Sequence, residues 1–220
     1  MSARLPDGAF NVIYADPPWT FQTWSDEGKG RSPERYYDCM SSGDVQALPV
    51  QDIAAETCAL FLWATDPLLP EAFKLIEAWG FTYKTVAFYW AKLNKSAPRL
   101  RFAADDFHRG MGYWTRANPE LCLLAAKGKP RRVSMSVRRL VIEPRREHSR
   151  KPDEVADRIV DLMGDVPRIE LVGLVAHQVD EVADRIVDLM GDVPRIELFA
   201  RQSRQGWTTW GDEANKFEAD

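Results

Sequence analysis

Residues 10–21 read FNVIYADPPWTF. The apolar run FNVIYA (10–15) has the length and composition of a buried strand. The next four residues have no packing rationale: Asp16, Pro17, Pro18 and Trp19 put an acid, two prolines and an indole in a row at the strand's carboxyl end. Chemically the order makes sense. The Asp16 carboxylate is a hydrogen-bond acceptor and the Pro17 carbonyl a second. Proline fixes φ and removes the backbone donor, so the Pro17–Pro18 step is stiff and offers acceptors only. Trp19 supplies a flat wall, and stacking on such a wall is worth roughly 1–3 kcal/mol per base. Two acceptors beside a stacking wall suit a planar heterocycle with an exocyclic amine. Such a base in a duplex has to be turned out of the stack to enter a pocket.

Working outward, apolar runs of strand length alternate with helical patterns. DVQAL (44–48) reads as a short helix, CALFLWAT (58–65) as a strand, and PEAFKLIEAW (70–79) as a helix with Phe73, Ile76 and Trp79 at helical spacing. Pro70 opens that helix and Gly80 comes just after it. KTVAFYWAK (84–92) and ELCLLAAKG (120–128) are further strands. Near-continuous apolar strands alternating with helices predict an α/β fold, a mostly parallel sheet with helices on both faces. Ligands of such sheets bind outside the carboxyl ends of the strands, where DPPW lies. Two long polar segments, 20–38 and 94–115, read as loops around that edge, and loops of this length are functional or disordered.

The 220 residues suit one domain, residues 1–220, and carry a net charge of −4. The charge is unevenly spread. Residues 127–151, KGKPRRVSMSVRRLVIEPRREHSRK, hold ten Lys/Arg against Glu143 and Glu147, a local +8 on a remainder of −12. A cationic band on an acidic body is the footprint of a polyanion, here nucleic acid. Cys39, Cys58 and Cys122 are widely spaced and form neither a disulfide framework nor a zinc pattern, which points to a reduced, cytoplasmic setting. His108, His148 and His177 show no ligand spacing with them, so no metal is expected. No apolar run reaches the length of a membrane span. A phosphate-binding GxxxxGK[ST] loop is absent.

The C-terminal part repeats itself. DEVADRIVDLMGDVPRIEL occurs at 153–171 and again, identically, at 180–198, 27 residues later. Each copy reads as helix, stop, turn and strand: Val155, Ile159 and Leu162 share a face, Gly164 ends the helix, Pro167 turns and residues 168–171 extend.

Several ordered motifs now carry a resemblance: NVIYADPPW, YYDCMSSGDVQALPV, ALFLWATDPLLPEAFKLIEAWGF, GYWTRANPELCLLAAKGKPR, EPRREHSRKPDE and IELFARQSRQGWTTWGDE. Together they resemble the DPPW family of S-adenosylmethionine-dependent adenine-N6 methyltransferases, named after the 70 kDa subunit of the messenger-RNA adenosine methyltransferase. The resemblance implies a permuted Rossmann-like methyltransferase fold, with the catalytic motif ahead of the cofactor motif. It makes Asp16, Pro17, Pro18 and Trp19 catalytic and gives Tyr37, in a first gate loop, a part in holding the target adenosine. Lys151, in the second gate loop HSRKPDE, would meet the methionine part of S-adenosylmethionine. Phe199 and Arg201 would line its adenosine, Arg201 on the ribose hydroxyls. Asp212 and Glu213 fall where the family more often has Asn followed by Gln or Glu, so Asp212 departs from the pattern while keeping an acceptor.

The repeat divides these motifs. HSRKPDE adjoins the first copy and ELFAR the second, so neither copy carries both halves of the cofactor site. The unbroken pattern from Leu198 to Glu213 favours the second copy for the final strand. The first copy is then expected to loop out, exposing Val155, Ile159 and Leu162; the alternative is that the first copy fills the site and the arginine is displaced. The expected substrate is nucleic acid, DNA in preference to RNA. The competing reading is a nucleic-acid-binding scaffold whose catalysis the split cofactor site has impaired.

Overall fold

The computed structural model describes residues 5, 8–17, 41–98, 101–146, 150–172, 196–198 and 208–210. Strand β1 (Phe10–Asp16) is buried along nearly its whole length, as its apolar run requires. Two short helices come next, α1 (Ser42–Gln46) and α2 (Val50–Ile53). The Ser41 hydroxyl caps α1 by accepting from the Asp44 N–H at 3.1 Å. The chain continues through β2 (Ala54–Ala64), α3 (Leu69–Ala78), β3 (Thr82–Leu93), β4 (Glu120–Lys127) and β5 (Leu140–Pro144). The described chain ends with α4 (Asp153–Met163), β6 (Arg168–Val172), β7 (Ile196–Leu198) and β8 (Thr208–Trp210).

These strands form one sheet in the order β5-β3-β4-β2-β1-β6-β7-β8. Every neighbouring pair is parallel except the two that β4 makes. The result is the expected mostly parallel, Rossmann-like sheet. Among the described residues no helix is long and apolar enough to cross a membrane.

Successive side chains of a strand point to opposite faces. On one face Ile13, Ala15, Leu60 and Leu62 pack with Val45, Val50, Ile53, Ala72, Leu75 and Ile76 of α1–α3. On the other, Val12, Tyr14, Phe61, Trp63, Phe88, Trp90 and Cys122 pack with Val155, Ile159 and Met163 of α4. Full burial of such side chains is worth about 1.5–3 kcal/mol each, so α4 is integral to the core.

That corrects the expectation for the repeat. The first copy is not looped out. Its strand β6 lies against β1, with Ile13 beside Ile169 and Asp16 beside Val172. Val155 and Ile159 are buried and Leu162 half-buried. The second copy's strand β7 takes the next position outward, Leu198 beside Leu171. The sheet therefore holds strands from both copies side by side, and the position beside β1 belongs to the first.

Candidate active site

The strand period decides which side chains meet. Tyr14 and Trp63 are buried on the α4 face, and the Trp63 indole donates to the Tyr14 hydroxyl at 2.8 Å. Two residues beyond Tyr14, on the same face at the carboxyl end of β1, stands Asp16. Two residues beyond the buried Trp90 stands Lys92, and two residues before the buried Cys122 stands Glu120. Because β4 runs against its neighbours, its first residue reaches the same edge as the last residues of β1 and β3. Lys151 arrives from the segment leading into α4, the helix that covers this face.

Their charges alternate. Lys92 is paired with Glu120, Lys151 lies 3.4 Å from Glu120 Oε2, and the Lys151 ammonium donates to Asp16 Oδ2 at 2.7 Å. Beneath the chain lies an aromatic floor: Lys151 Nζ sits 5.4 Å from the Trp63 ring centroid and Lys92 Nζ 4.9 Å from that of Trp90. Trp63 and Trp90 meet edge to face at 6.4 Å.

Burial and charge act against each other in this row. For Glu120 burial pushes the carboxyl up, but the Lys151 and Lys92 ammonium groups outweigh it and hold the group below the usual carboxylate range. For Lys151 burial favours the neutral amine, yet Asp16 and Glu120 together raise it well above an ordinary lysine. For Asp16 burial dominates and raises the carboxyl, with Lys151 pulling it back. The two partners of the Asp16–Lys151 contact thus point different ways. The short contact and the second carboxylate on Lys151 favour the ionised pair, with the proton on lysine. Burial then makes Asp16 a more proton-hungry carboxylate than one in water.

Two features flank this row. Pro17 is buried directly after Asp16. Just past the end of β2, the Thr65 hydroxyl is buried and has no hydrogen-bond partner among the described residues. A buried polar atom without a partner is costly, so it marks a place where a ligand's donor or acceptor is welcome.

Of the residues expected from sequence, Asp16, Pro17 and Lys151 come together. Pro18, Trp19, Tyr37, Phe199, Arg201, Asp212 and Glu213 lie outside the described residues. Glu120, Lys92 and Thr65 were missed. Strand parity could have found the first two, since each is two positions from a buried residue of an apolar strand. The basic band is not one surface: Lys151 belongs to the site, Lys127 donates to the Gln51 and Ala54 carbonyls, and Arg146 is paired with Asp153. Lys129, Arg131, Arg132, Arg138 and Arg139 remain exposed.

Known proteins provide one family match and three relatives. The MT-A70 family profile matches residues 10–180. A Type II methyltransferase M.MunI from Mycoplasma sp. is 31% identical, with 98% of this chain and 83% of that protein covered. An N(6)-adenosine-methyltransferase MT-A70-like protein of Arabidopsis thaliana is 29% identical over 74% of this chain, and the human N(6)-adenosine-methyltransferase catalytic subunit METTL3 is 25% identical over 76%. The match spans only 21% and 26% of those two relatives.

Proposed function

We propose, from the premise that this chain belongs to the MT-A70 family, that the Asp16–Lys151 cluster is its methyl-transfer centre and that the polymer it modifies is DNA. The chain is an adenine-N6 methyltransferase of nucleic acid, drawing on a methyl donor of the S-adenosylmethionine type. The DNA reading is supported by the Type II methyltransferase with which it shares most of both lengths. The adenosine methyltransferases match over only about a quarter of theirs.

The observation that carries the site assignment is the 2.7 Å contact between Lys151 and Asp16 at the carboxyl end of β1. Lys151 holds Oδ2, and Oδ1 has no partner among the described residues, so it is available to an amine N–H. The Pro17 carbonyl is the second acceptor. Accepting both N–H bonds returns lone-pair density to an amine nitrogen that is otherwise conjugated with the ring. The amine sheds one proton in the exchange, and Asp16 Oδ1 is where this site can hold it, its affinity increased by burial.

The donor set also fits the methyl donor, whose sulfonium and ammonium are cationic and whose carboxylate is anionic. Asp16 suits the cationic centre, Lys151 the carboxylate, and the unpartnered Thr65 hydroxyl either end. When bound, the donor supplies an electrophilic methyl carbon. Asp16, placed beside the amine, would stabilise the positive charge that passes from sulfur to nitrogen, and Lys151 fixes Asp16 in place. Pro18 and Trp19 as base-holding residues, Tyr37 as the gate residue, and Phe199, Arg201, Asp212 and Glu213 on the donor's adenosine complete this reading, within one methyltransferase domain over residues 1–220.

A second reading has its own support. The strand beside β1 is followed in sequence by Gly173-Leu174, whereas Phe199-Ala200-Arg201 follows in sequence on β7, itself paired with β6 and not with β1. That favours a nucleic-acid-binding protein with impaired transfer. Labelled methyl transfer to DNA and, in parallel, to RNA decides between them, with Asp16→Ala as control. Label on adenine N6 in DNA, lost in Asp16→Ala, is expected. Label in RNA alone refutes the DNA reading, and tight DNA binding without transfer leaves the scaffold.

A further inference from the structure

Residues 110–117 form a hairpin whose root is tied to the catalytic row. Gly110 N–H donates to the Ala117 carbonyl at 2.7 Å, and His108 N–H to the Lys92 carbonyl at 2.8 Å. The Asn118 side chain binds both legs. Its amide donates to the carbonyls of Lys92 and His108 at 2.8 and 2.7 Å and accepts from the Lys92 N–H at 3.0 Å. The hairpin therefore springs from the strand ends that carry Lys92 and Glu120. Its tip is tight: a Cβ on Gly112 would stand 2.0 Å from the Thr115 carbonyl oxygen, so only glycine fits that turn.

This well-rooted tip exposes apolar side chains. Trp114 is 99% exposed, Met111 74% and Tyr113 54%. Arg109, which is paired with Asp105, and Arg116 flank them, and residues 107–119 contain no acid. A tryptophan displayed on a braced hairpin beside an active site, with Arg116 near it and no acid at the tip, fits a stacked, anionic partner. The chain from Gly110 to Trp114 extends at most about 13 Å, comparable with the roughly 12 Å width of the major groove. A base turned out toward Asp16 leaves a gap in the duplex, and apolar side chains inserted at base steps occupy such gaps.

We propose that Trp114 enters the duplex at the target step and stacks where the departing adenine stood. This rests on the reading of the site as a DNA adenine methyltransferase. Trp114 acts on the DNA rather than on the reacting atoms, so it is a positioning residue.

The test compares wild type, Trp114→Ala and Trp114→Phe on plasmid DNA as duplex and as heat-denatured single strand. Loss of one stacking contact predicts a roughly ten- to hundredfold fall in kcat/KM on duplex for Trp114→Ala. Single-strand activity should stay within about threefold, and Trp114→Phe should recover most of the duplex activity. Equal loss on both substrates overturns the proposal. A readout independent of transfer uses fluorescein-labelled random-sequence duplexes, intact or with a central abasic site. Wild type should prefer the abasic duplex and Trp114→Ala should lose that preference. An unchanged preference overturns the wedge even if methylation proceeds. A preference that is lost in Trp114→Ala, in a protein that transfers no methyl, supports the wedge and faults the catalytic reading alone. If Trp114→Ala converts a dimer to a monomer in sedimentation with duplex selectivity unchanged, the tip binds a second copy and the proposal fails.

Discussion

The strands β6 and β7 carry the same Ile-Glu-Leu, yet β6 lies against β1 and β7 one position outward. Nineteen identical residues have identical propensities, so the difference comes from what flanks them. The first copy begins directly after Lys151-Pro152. Its first residue, Asp153, is paired with Arg146 and lies 3.7 Å from Arg150, both in the preceding basic run. The Arg158 guanidinium, paired with Glu154, donates to the carbonyls of Arg138 and Leu140 on the way into β5. The matching Asp180 is preceded instead by His177-Gln178-Val179. Connectivity and a few ionic contacts, rather than the repeated sequence, assign the central position.

The comparison breaks most sharply at Ile159. Ile159→Asp places an unpaired carboxylate among Val12, Phe61 and the α4 core, at a cost of several kcal/mol. Urea denaturation should show a large loss of stability, and a loss near zero would contradict the packing of α4 into the core.

Lys151→Met tests the site that the first copy supports. It leaves Asp16 and Glu120 facing each other without their shared ammonium, and breaking a buried pair this way costs about 3–5 kcal/mol. Methyl transfer should fall by roughly a hundredfold or more, as for loss of a charge-assisted contact at a reacting centre. Near-normal transfer in a folded Lys151→Met protein would remove Lys151 from the mechanism.

Acid sharpens the same point. The folded Glu120 carboxyl lies below its ordinary 4.5, so near that pH the unfolded chain binds a proton that the folded chain refuses. The stability Glu120 contributes is complete above 4.5 and is lost as pH falls through the folded value. Melting curves between pH 7 and pH 3 should therefore fall less steeply for Glu120→Gln than for wild type; parallel curves would contradict this.

The smallest effect is expected at Gly164, which ends α4 with φ +78° and ψ −172°, a region reserved for glycine. Gly164→Ala should cost about 1–3 kcal/mol, and a Cβ there would also stand 3.3 Å from Val133. An unchanged melting temperature for Gly164→Ala would contradict the left-handed end of α4.

Much of this was legible in the sequence where one physical signal dominated. The apolar runs that became β1, β2, β3 and β4 were readable because strands buried on both faces need almost continuous apolarity. The bounds of β2 and β3 were set too short, because their outer residues, such as Glu56 and Tyr83, are exposed. Strand β5 was hidden inside a basic run, where Leu140-Val141-Ile142 is too brief to stand out and only Val141 is fully buried. Asp16 was legible through its prolines. Glu120 was not, because a lone acid opening a strand carries no motif until parity and the antiparallel course of β4 bring it to Lys151. The position of each copy rested on its flanks, and the pattern after Leu198 pointed to the second copy, whereas attachment to Lys151-Pro152 sets the first beside β1.

The measurement that tests the account most directly is the yield of N6-methyladenine in digested DNA after incubation with the full chain and with a chain lacking residues 153–179. In the shortened chain Lys151-Pro152 leads into a single helix-strand unit that ends in Phe199-Ala200-Arg201. Both proteins should form N6-methyladenine. The shortened one should bind its methyl donor about tenfold tighter, the gain expected from one charge-assisted contact. Asp16→Ala should abolish the product in each. N6-methyladenine that persists in Asp16→Ala, or that neither parent protein produces, would contradict the assignment of the Asp16–Lys151 row as the methyl-transfer centre.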